Sequence, residues 1–103
     1  MFARMARYRF IGDPRELARR TQESMLPLFQ DQPGFVSYSV MATKNEVLSF
    51  SIWETEEQAD GANKVSRDWV ADNIDPSQIE LMDSRVGEIL VATALGVDAP
   101  ALT

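Results

Sequence analysis

A chain of 103 residues and 11.6 kDa is the size of one domain, and 45% hydrophobic with 25% charged residues is ordinary globular usage, which excludes a wholly disordered or coiled-coil chain. It has no cysteine and no histidine, which excludes a disulfide framework, a thiolate nucleophile, a Cys- or His-based metal site and the commonest general base. The net charge of −6 argues against a general nucleic-acid or anionic-membrane surface.

Met1–Ile11 alternates with period two and reads as a strand, with Phe2, Ala6, Tyr8 and Phe10 on one face and Ala3, Met5, Arg7, Arg9 and Ile11 on the other. Gly12 breaks it. Asp13 then serves as an N-cap, Pro14 occupies the first helical position, and Glu16 is placed to reach back as in a capping box. Leu17, Thr21, Met25, Leu28 and Phe29 continue at helical spacing to about Asp31, with Pro27 expected to kink the last turn. Gln32-Pro33-Gly34 is a turn. Phe35–Ala42 and Val47–Glu54 read as two strands joined by the hairpin loop Thr43-Lys44-Asn45-Glu46. Thr55-Glu56-Glu57-Gln58 is a second capping box. It opens a helix to about Asn73 whose apolar stripe is Ala59, Ala62, Val65, Trp69 and Val70; Gly61 weakens it by about 1 kcal/mol relative to Ala. Asp75-Pro76 stops it. Gln78–Thr93 reads as a long strand with Gly87 as a bulge or bend, and residues 94–103 as a tail following one domain over 1–93.

The order βαββαβ predicts an α+β, ferredoxin-like domain: a four-stranded antiparallel sheet with both helices on one face. If the hairpin loop is Thr43–Glu46, Ala42 faces Val47. Counting outward sets Val40, Tyr38 and Val36 against Ser49, Ser51 and Trp53 on one side, and Met41, Ser39, Ser37 and Phe35 against Leu48, Phe50 and Ile52 on the other. Both sides carry large apolar groups, whereas two helices cover only one. A second copy of the chain is the economical cover, so a homodimer is expected. Ser49 and Ser51 beside Tyr38 and Trp53 are small and polar where strands usually carry Val or Ile. They either line a cavity for a small molecule or make room for neighbouring side chains.

The element order, Gln32-Pro33-Gly34-Phe35 opening the second strand, and Leu48–Trp53 followed by Glu54-Thr55-Glu56-Glu57 resemble the antibiotic-biosynthesis-monooxygenase domain of the dimeric α+β barrel superfamily, over roughly residues 2–92. The resemblance implies two sheets facing each other across a dimer and a pocket in each subunit between sheet and helices. It also implies, for some members, oxidation of polycyclic phenols by O₂ without metal or flavin. In those members an Asn, a Trp and a Tyr line the site. Here the three positions hold Ser49, Trp53 and Ala59, so one is retained. Other members degrade haem with an Asn, a Trp and a His; those positions fall at Ala6, Ala62 and near Ala71, which disfavours that activity.

Six residues are the candidates for contact with a ligand. Trp53 is an aromatic wall or a core anchor. Trp69 lies on the apolar stripe, where packing is the simpler role. Tyr38 places its hydroxyl near Ser49 and Ser51. Arg4 shares a face with Tyr8 on a strand that this fold makes central; buried arginine is rare unless paired, so at least one of Arg4, Arg7 and Arg9 should meet a carboxylate such as Glu54 or Glu80, or Arg4 should meet an anionic substrate. Asp72 and Asp75 have no ligand-like spacing, so neither a metal nor another cofactor is expected. The function read from these residues is cofactor-independent oxygenation of a small aromatic, polyketide-like phenol. The alternatives are a carrier or accessory protein with the same pocket, or a cyclase or isomerase, for which proton transfer needs a positioned base. Partners are expected to be a second copy of the chain and a small hydrophobic ligand, with no nucleic acid or membrane. No apolar run approaches the roughly 20 residues that span a bilayer, and Met1–Phe10 has no apolar signal region, so a cytoplasmic protein is expected.

Overall fold

Asp13 ends the loop after the first strand and starts the first helix as its N-cap, accepting a hydrogen bond from the Arg15 backbone N–H at 2.9 Å. Such local signals fix most element boundaries in the computed structural model, which describes residues 1–100. In chain order the elements are β1 (Phe2–Phe10), α1 (Pro14–Arg20), a π-helical turn (Thr21–Met25), α2 (Leu26–Gln30), β2 (Phe35–Ala42), β3 (Glu46–Trp53), α3 (Glu56–Asn73) and β4 (Ile79–Glu88). The sheet is antiparallel with strand order β2-β3-β1-β4. The helices lie on one side of it, α3 against β1, β3 and β4, and α2 against β2. This is the ferredoxin-like plan expected from the order of elements.

The core lies between sheet and helices and includes Leu17, Met25, Phe29, Val47, Trp53, Ala59, Ala62, Trp69 and Ile74. Strand β3 shows the period-two rule in full: Val47, Ser49, Ser51 and Trp53 are buried, while Leu48, Phe50 and Ile52 on the opposite side are partly or wholly exposed. That opposite side carries no helix. Phe50 is 36% exposed and Met41 49% exposed there.

The first helix departs from a plain kink at Pro27. Leu17, Thr21, Met25 and Phe29 are all buried at intervals of four residues. Four residues turn an ideal α-helix by about 400°, so such a stripe drifts about 40° per repeat. The π turn, closed by the Leu26 N–H on the Thr21 carbonyl, widens the helix just before Pro27 and keeps the stripe facing the sheet. Pro27 cannot donate to the preceding turn, so the irregularity collects there.

Four local expectations are corrected. Glu16 does not complete a capping box; it pairs with Arg19 on the exposed side of α1. The hairpin register runs as expected from Ala42↔Val47 to Tyr38↔Ser51, but it shifts at Val36. Phe35 then lies opposite Trp53 and packs edge-on against its ring, centroids 5.5 Å apart, on the helix side. The register break of the last strand lies opposite Arg7/Tyr8, at Met82, and Gly87 pairs regularly with Ala3. That strand also ends at Glu88, five residues early. Its neighbour β1 begins at Phe2, so beyond the bond from Ile89 N–H to the Met1 carbonyl there is no strand left to pair with. Residues 92–97 form a small turn closed by the bridge Ala92↔Val97. The end of the expected tail, residues 101–103, lies outside the described residues. Among the described residues no helix is long and apolar enough to cross a membrane.

The second capping box forms as expected: Gln58 N–H donates to Thr55 Oγ1 at 3.2 Å, and Thr55 N–H donates to Gln58 Oε1 at 3.1 Å. Gly34 supports it from outside. Its φ is +80°, and a methyl group there would collide with the Gln58 amide. Gly34→Ala is therefore expected to lower stability by about 1–3 kcal/mol through strain and the lost cap. Gly61 is exposed within α3 with open space around it, and Gly61→Ala is expected to raise stability by about 0.5–1 kcal/mol. Urea denaturation of both variants measures the opposite signs.

Candidate functional site

The helix-facing side of the sheet is laid out in cross-strand rows. Tyr38, Ser51, Arg4 and Val86 form one row; Val40, Ser49, Ala6 and Ser84 form the next; Ala42, Val47 and Tyr8 continue in the third. Every polar side chain in these rows has a traceable partner. Ser51 is wholly buried and accepts the Trp53 indole N–H at 2.9 Å. Ser49 donates to the Tyr38 hydroxyl oxygen at 3.3 Å. Tyr8 and Ser66 share a hydrogen bond at 3.1 Å. Arg4, 1% exposed, donates from Nε to the Asn63 amide oxygen at 2.5 Å, and Ser84 donates to the same oxygen at 3.1 Å.

Two groups in this network have displaced pKa values. Burial pushes the Tyr38 phenol up to about 12, although the Ser49 hydrogen bond and the Arg4 charge pull it down. Burial also draws the Arg4 guanidinium below its usual value, opposed by Tyr8 and Tyr38 beside it. At neutral pH the site thus contains a neutral phenol and a guanidinium.

A cavity of about 30 Å³ opens between this surface and the helices, enough for one or two water molecules. Tyr8, Tyr38, Ser49 and Ser66 give it polar edges, and Leu17, Met25, Val40, Val47 and Trp69 are among its apolar walls. Of the six residues singled out from sequence, Tyr38, Ser49 and Trp69 line this cavity. Ser51 and Arg4 lie in the adjoining row, behind the wall. Trp53, 1% exposed, sits in an aromatic cluster with Phe29 and Phe35, both at 5.5 Å between ring centroids, and anchors the core. Trp69 has its indole N–H on Ser24 Oγ at 2.7 Å and turns its ring inward.

Of the two carboxylates expected near the strand-one arginines, Glu80 pairs with one and Glu54 with none among the described residues, and both pairs that form lie on the other side of the sheet from Arg4. Glu46 pairs with Arg7 at 2.5 Å and Glu80 with Arg9 at 3.0 Å. Arg4 meets the neutral Asn63 instead. Asn63, Ser66 and Thr21 were not foreseen. Ser66 carried a signal, a hydroxyl at helical spacing between Ala62 and Trp69 on the apolar stripe; Asn63 carried none. Among the described residues no three His, Cys, Asp or Glu side chains come together as a metal-binding group.

No family description and no curated protein matches the sequence. Solved structures do match the fold. MupZ from Pseudomonas fluorescens superposes with a TM-score of 0.66 at 7% identity over 82% of this chain and 69% of its own. SnoaB, a cofactor-independent oxygenase from Streptomyces nogalater, gives 0.65 at 14% over 88% and 94%. The monooxygenase of the ActVA-Orf6 gene of Streptomyces coelicolor, solved with nanaomycin D, gives 0.60 at 17% over 88% and 92%. At these identities it is the fold that is shared, and this chain has the fold of the antibiotic biosynthesis monooxygenases.

The raised pKa of the Tyr38 phenol ties its ionisation to stability. Its proton is held more tightly in the folded state, so stability is complete below the ordinary tyrosine range near pH 10 and declines as pH rises toward about 12. Tyrosinate absorbance is expected to show a late step at about pH 12 that disappears, with the decline in stability, in Tyr38→Phe.

Proposed function

We propose that this chain binds a flat, electron-rich phenol between its sheet and its helices and oxidises it with O₂, the substrate itself supplying the electrons. The observation that carries this reading is the cavity. It is apolar in its walls and edged by two phenols and two serine hydroxyls, with the buried Arg4 in the adjoining row of the sheet. That composition suits an aromatic ring bearing a polar oxygen. The shared fold with a cofactor-independent oxygenase and with a monooxygenase holding nanaomycin D supports the reaction class.

The chemistry needs little from the protein beyond binding and dryness. A phenolic substrate with an activated CH₂ loses a proton, the resulting anion passes electrons to O₂, and a carbon–oxygen bond forms at that carbon. The second oxygen atom leaves as water with the two hydrogens, so R₂CH₂ + O₂ gives R₂C=O + H₂O. Tyr38, neutral across physiological pH, donates its hydroxyl proton as a hydrogen bond to the substrate oxygen. Leu17, Met25, Val47 and Trp69 keep water out.

The cavity is far smaller than a tricyclic phenol, so binding requires the wall formed by Thr21 and Met25 to move outward. That wall is the π turn, where the backbone ladder is irregular, and Met25 is the most adaptable of the apolar residues lining it. Met25→Ala is expected to cost about 2–4 kcal/mol of stability while tightening the binding of tricyclic phenols, measured by denaturation and by fluorescence quenching of Trp69.

The direct test is oxygen uptake with a panel of tricyclic phenols and anthrones in the presence of a metal chelator. Uptake should scale with protein and fall about tenfold in Tyr38→Phe, as expected for one hydrogen bond to a charged oxygen at ~1.5 kcal/mol. Ser49 and Ala59 at the Asn and Tyr positions favour a second reading, a binding protein without turnover. Tight binding with no uptake selects it.

The same proposal includes a homodimer through the uncovered side of the sheet. Met5, Met41, Leu48, Phe50 and Ile52 form an apolar surface there with no helix over it. Light scattering is expected to give twice 11.6 kDa for the wild type and a lower mass for Phe50→Lys.

A further inference from the structure

Among the described residues Arg4 is the most deeply buried charge, and none of them provides it with a countercharge. The described ion pairs of this sheet join Arg7 to Glu46, Arg9 to Glu80 and Arg85 to Asp83, and none includes Arg4. Its hydrogen-bond partner, Asn63 Oδ1, is neutral and is already shared with Ser84. Its Nη1 is buried and donates to nothing. A cation held this way is costly, and a methionine of similar volume would pack the same space at lower cost. The titratable groups acting on it are Tyr8 and Tyr38, the two phenols that edge the cavity. Arg4 and Tyr38 both flank Ser51 in the sheet, one strand away on either side, so their Cα atoms lie about 10 Å apart and long side chains can converge above the serine. Tyr38 accepts its hydrogen bond from Ser49, which leaves its own proton free to donate.

We propose that Arg4 is the missing half of an ion pair with the ligand: the aromatic ligand binds as its phenolate, with the ionised oxygen on Arg4 Nη1 and the Tyr38 hydroxyl as second donor. This rests on the cavity being the ligand site, and it names the state in which the ligand is held. Two fixed donors, one of them charged, favour an anionic oxygen over a neutral hydroxyl, and the apolar walls suit the ring. The site thereby selects the electron-rich form that reacts with O₂.

The probes are 4-nitrophenol, whose ionised form absorbs in the visible, and 4-nitroanisole, its uncharged methyl ether. With wild-type protein the apparent pKa of bound 4-nitrophenol is expected to fall by about 1–3 units, and the phenolate to bind at least about tenfold more tightly than the ether. Arg4→Met should abolish both effects and melt at or above the wild-type temperature, because an unpaired buried charge has been removed. Arg4→Lys should restore part of the pKa shift. If 4-nitrophenol and 4-nitroanisole bind wild type and Arg4→Met alike with no shift, the cavity reading stands and the ion-pair inference is overturned. If neither probe binds wild type, the cavity reading falls and the inference with it. A melting temperature well below wild type in Arg4→Met, with the shift retained in Arg4→Lys and Arg4→Met alike, assigns Arg4 to structure and overturns the inference.

Discussion

A guanidinium fixed at the centre of the helix-facing side of the sheet governs what can surround it. Arg4 projects from a central strand into the space that normally holds a domain's densest packing. A long side chain with five N–H donors needs volume and acceptors, and it excludes large aliphatic neighbours. Most of the adjoining positions are small, Ser51, Ala6, Ser49 and Ser84, with Val86 beside Arg4 on β4 and Asn63 and Ser66 on α3. Ser49 and Ser51 thus both carry hydrogen bonds, and Ser49 also edges the cavity. Ser51 satisfies the Trp53 indole, and Ser49 holds the Tyr38 hydroxyl.

The second constraint is that the sheet is apolar on both sides while the chain has helices for one. Strand β3 displays this within eight residues, buried Val47, Ser49, Ser51 and Trp53 alternating with Leu48, Phe50 and Ile52. The two serines lie on the covered side between Val47 and Trp53, while three large apolar residues lie on the uncovered side, where an ordinary half-exposed strand would be polar. The charges on the uncovered side include the pairs Arg7 with Glu46, Arg9 with Glu80 and Arg85 with Asp83.

The helical layer is least regular where it meets the cavity. An apolar stripe repeating every four residues, followed by Pro27, is accommodated by the π turn that supplies Thr21 and Met25 to the cavity wall. The segment of the fold with the weakest backbone ladder is therefore the one placed over the cavity. On the far side of the same wall, Trp69 and Ser24 tie this segment to α3 through a single hydrogen bond.

The element order, both helix N-caps, the hairpin pairing Ala42↔Val47 and the two-sided character of the strands were legible in the sequence, because each depends on residues close together in the chain or on simple periodicity. The bulge at Val36 was not, and it moved Phe35 across the sheet. A register shift is decided by the aromatic packing of Phe35 on Trp53 and Phe29, which involves three separate elements. Glu16 was assigned to the cap because its spacing fits; in the structure it pairs with Arg19 on the exposed side of the helix. The length of the last strand was overestimated because a strand persists only while its neighbour does, and β1 starts at residue 2. Arg4, Tyr38, Ser49 and Trp69 could be named from sequence as a group, but which of them reach the cavity could not. Local periodicity determined which side of the sheet each residue occupies. Only the packing of α3 across β1 decided that Arg4 would meet a neutral Asn63 rather than a carboxylate, since that partner lies 59 residues away and carries no periodic signal.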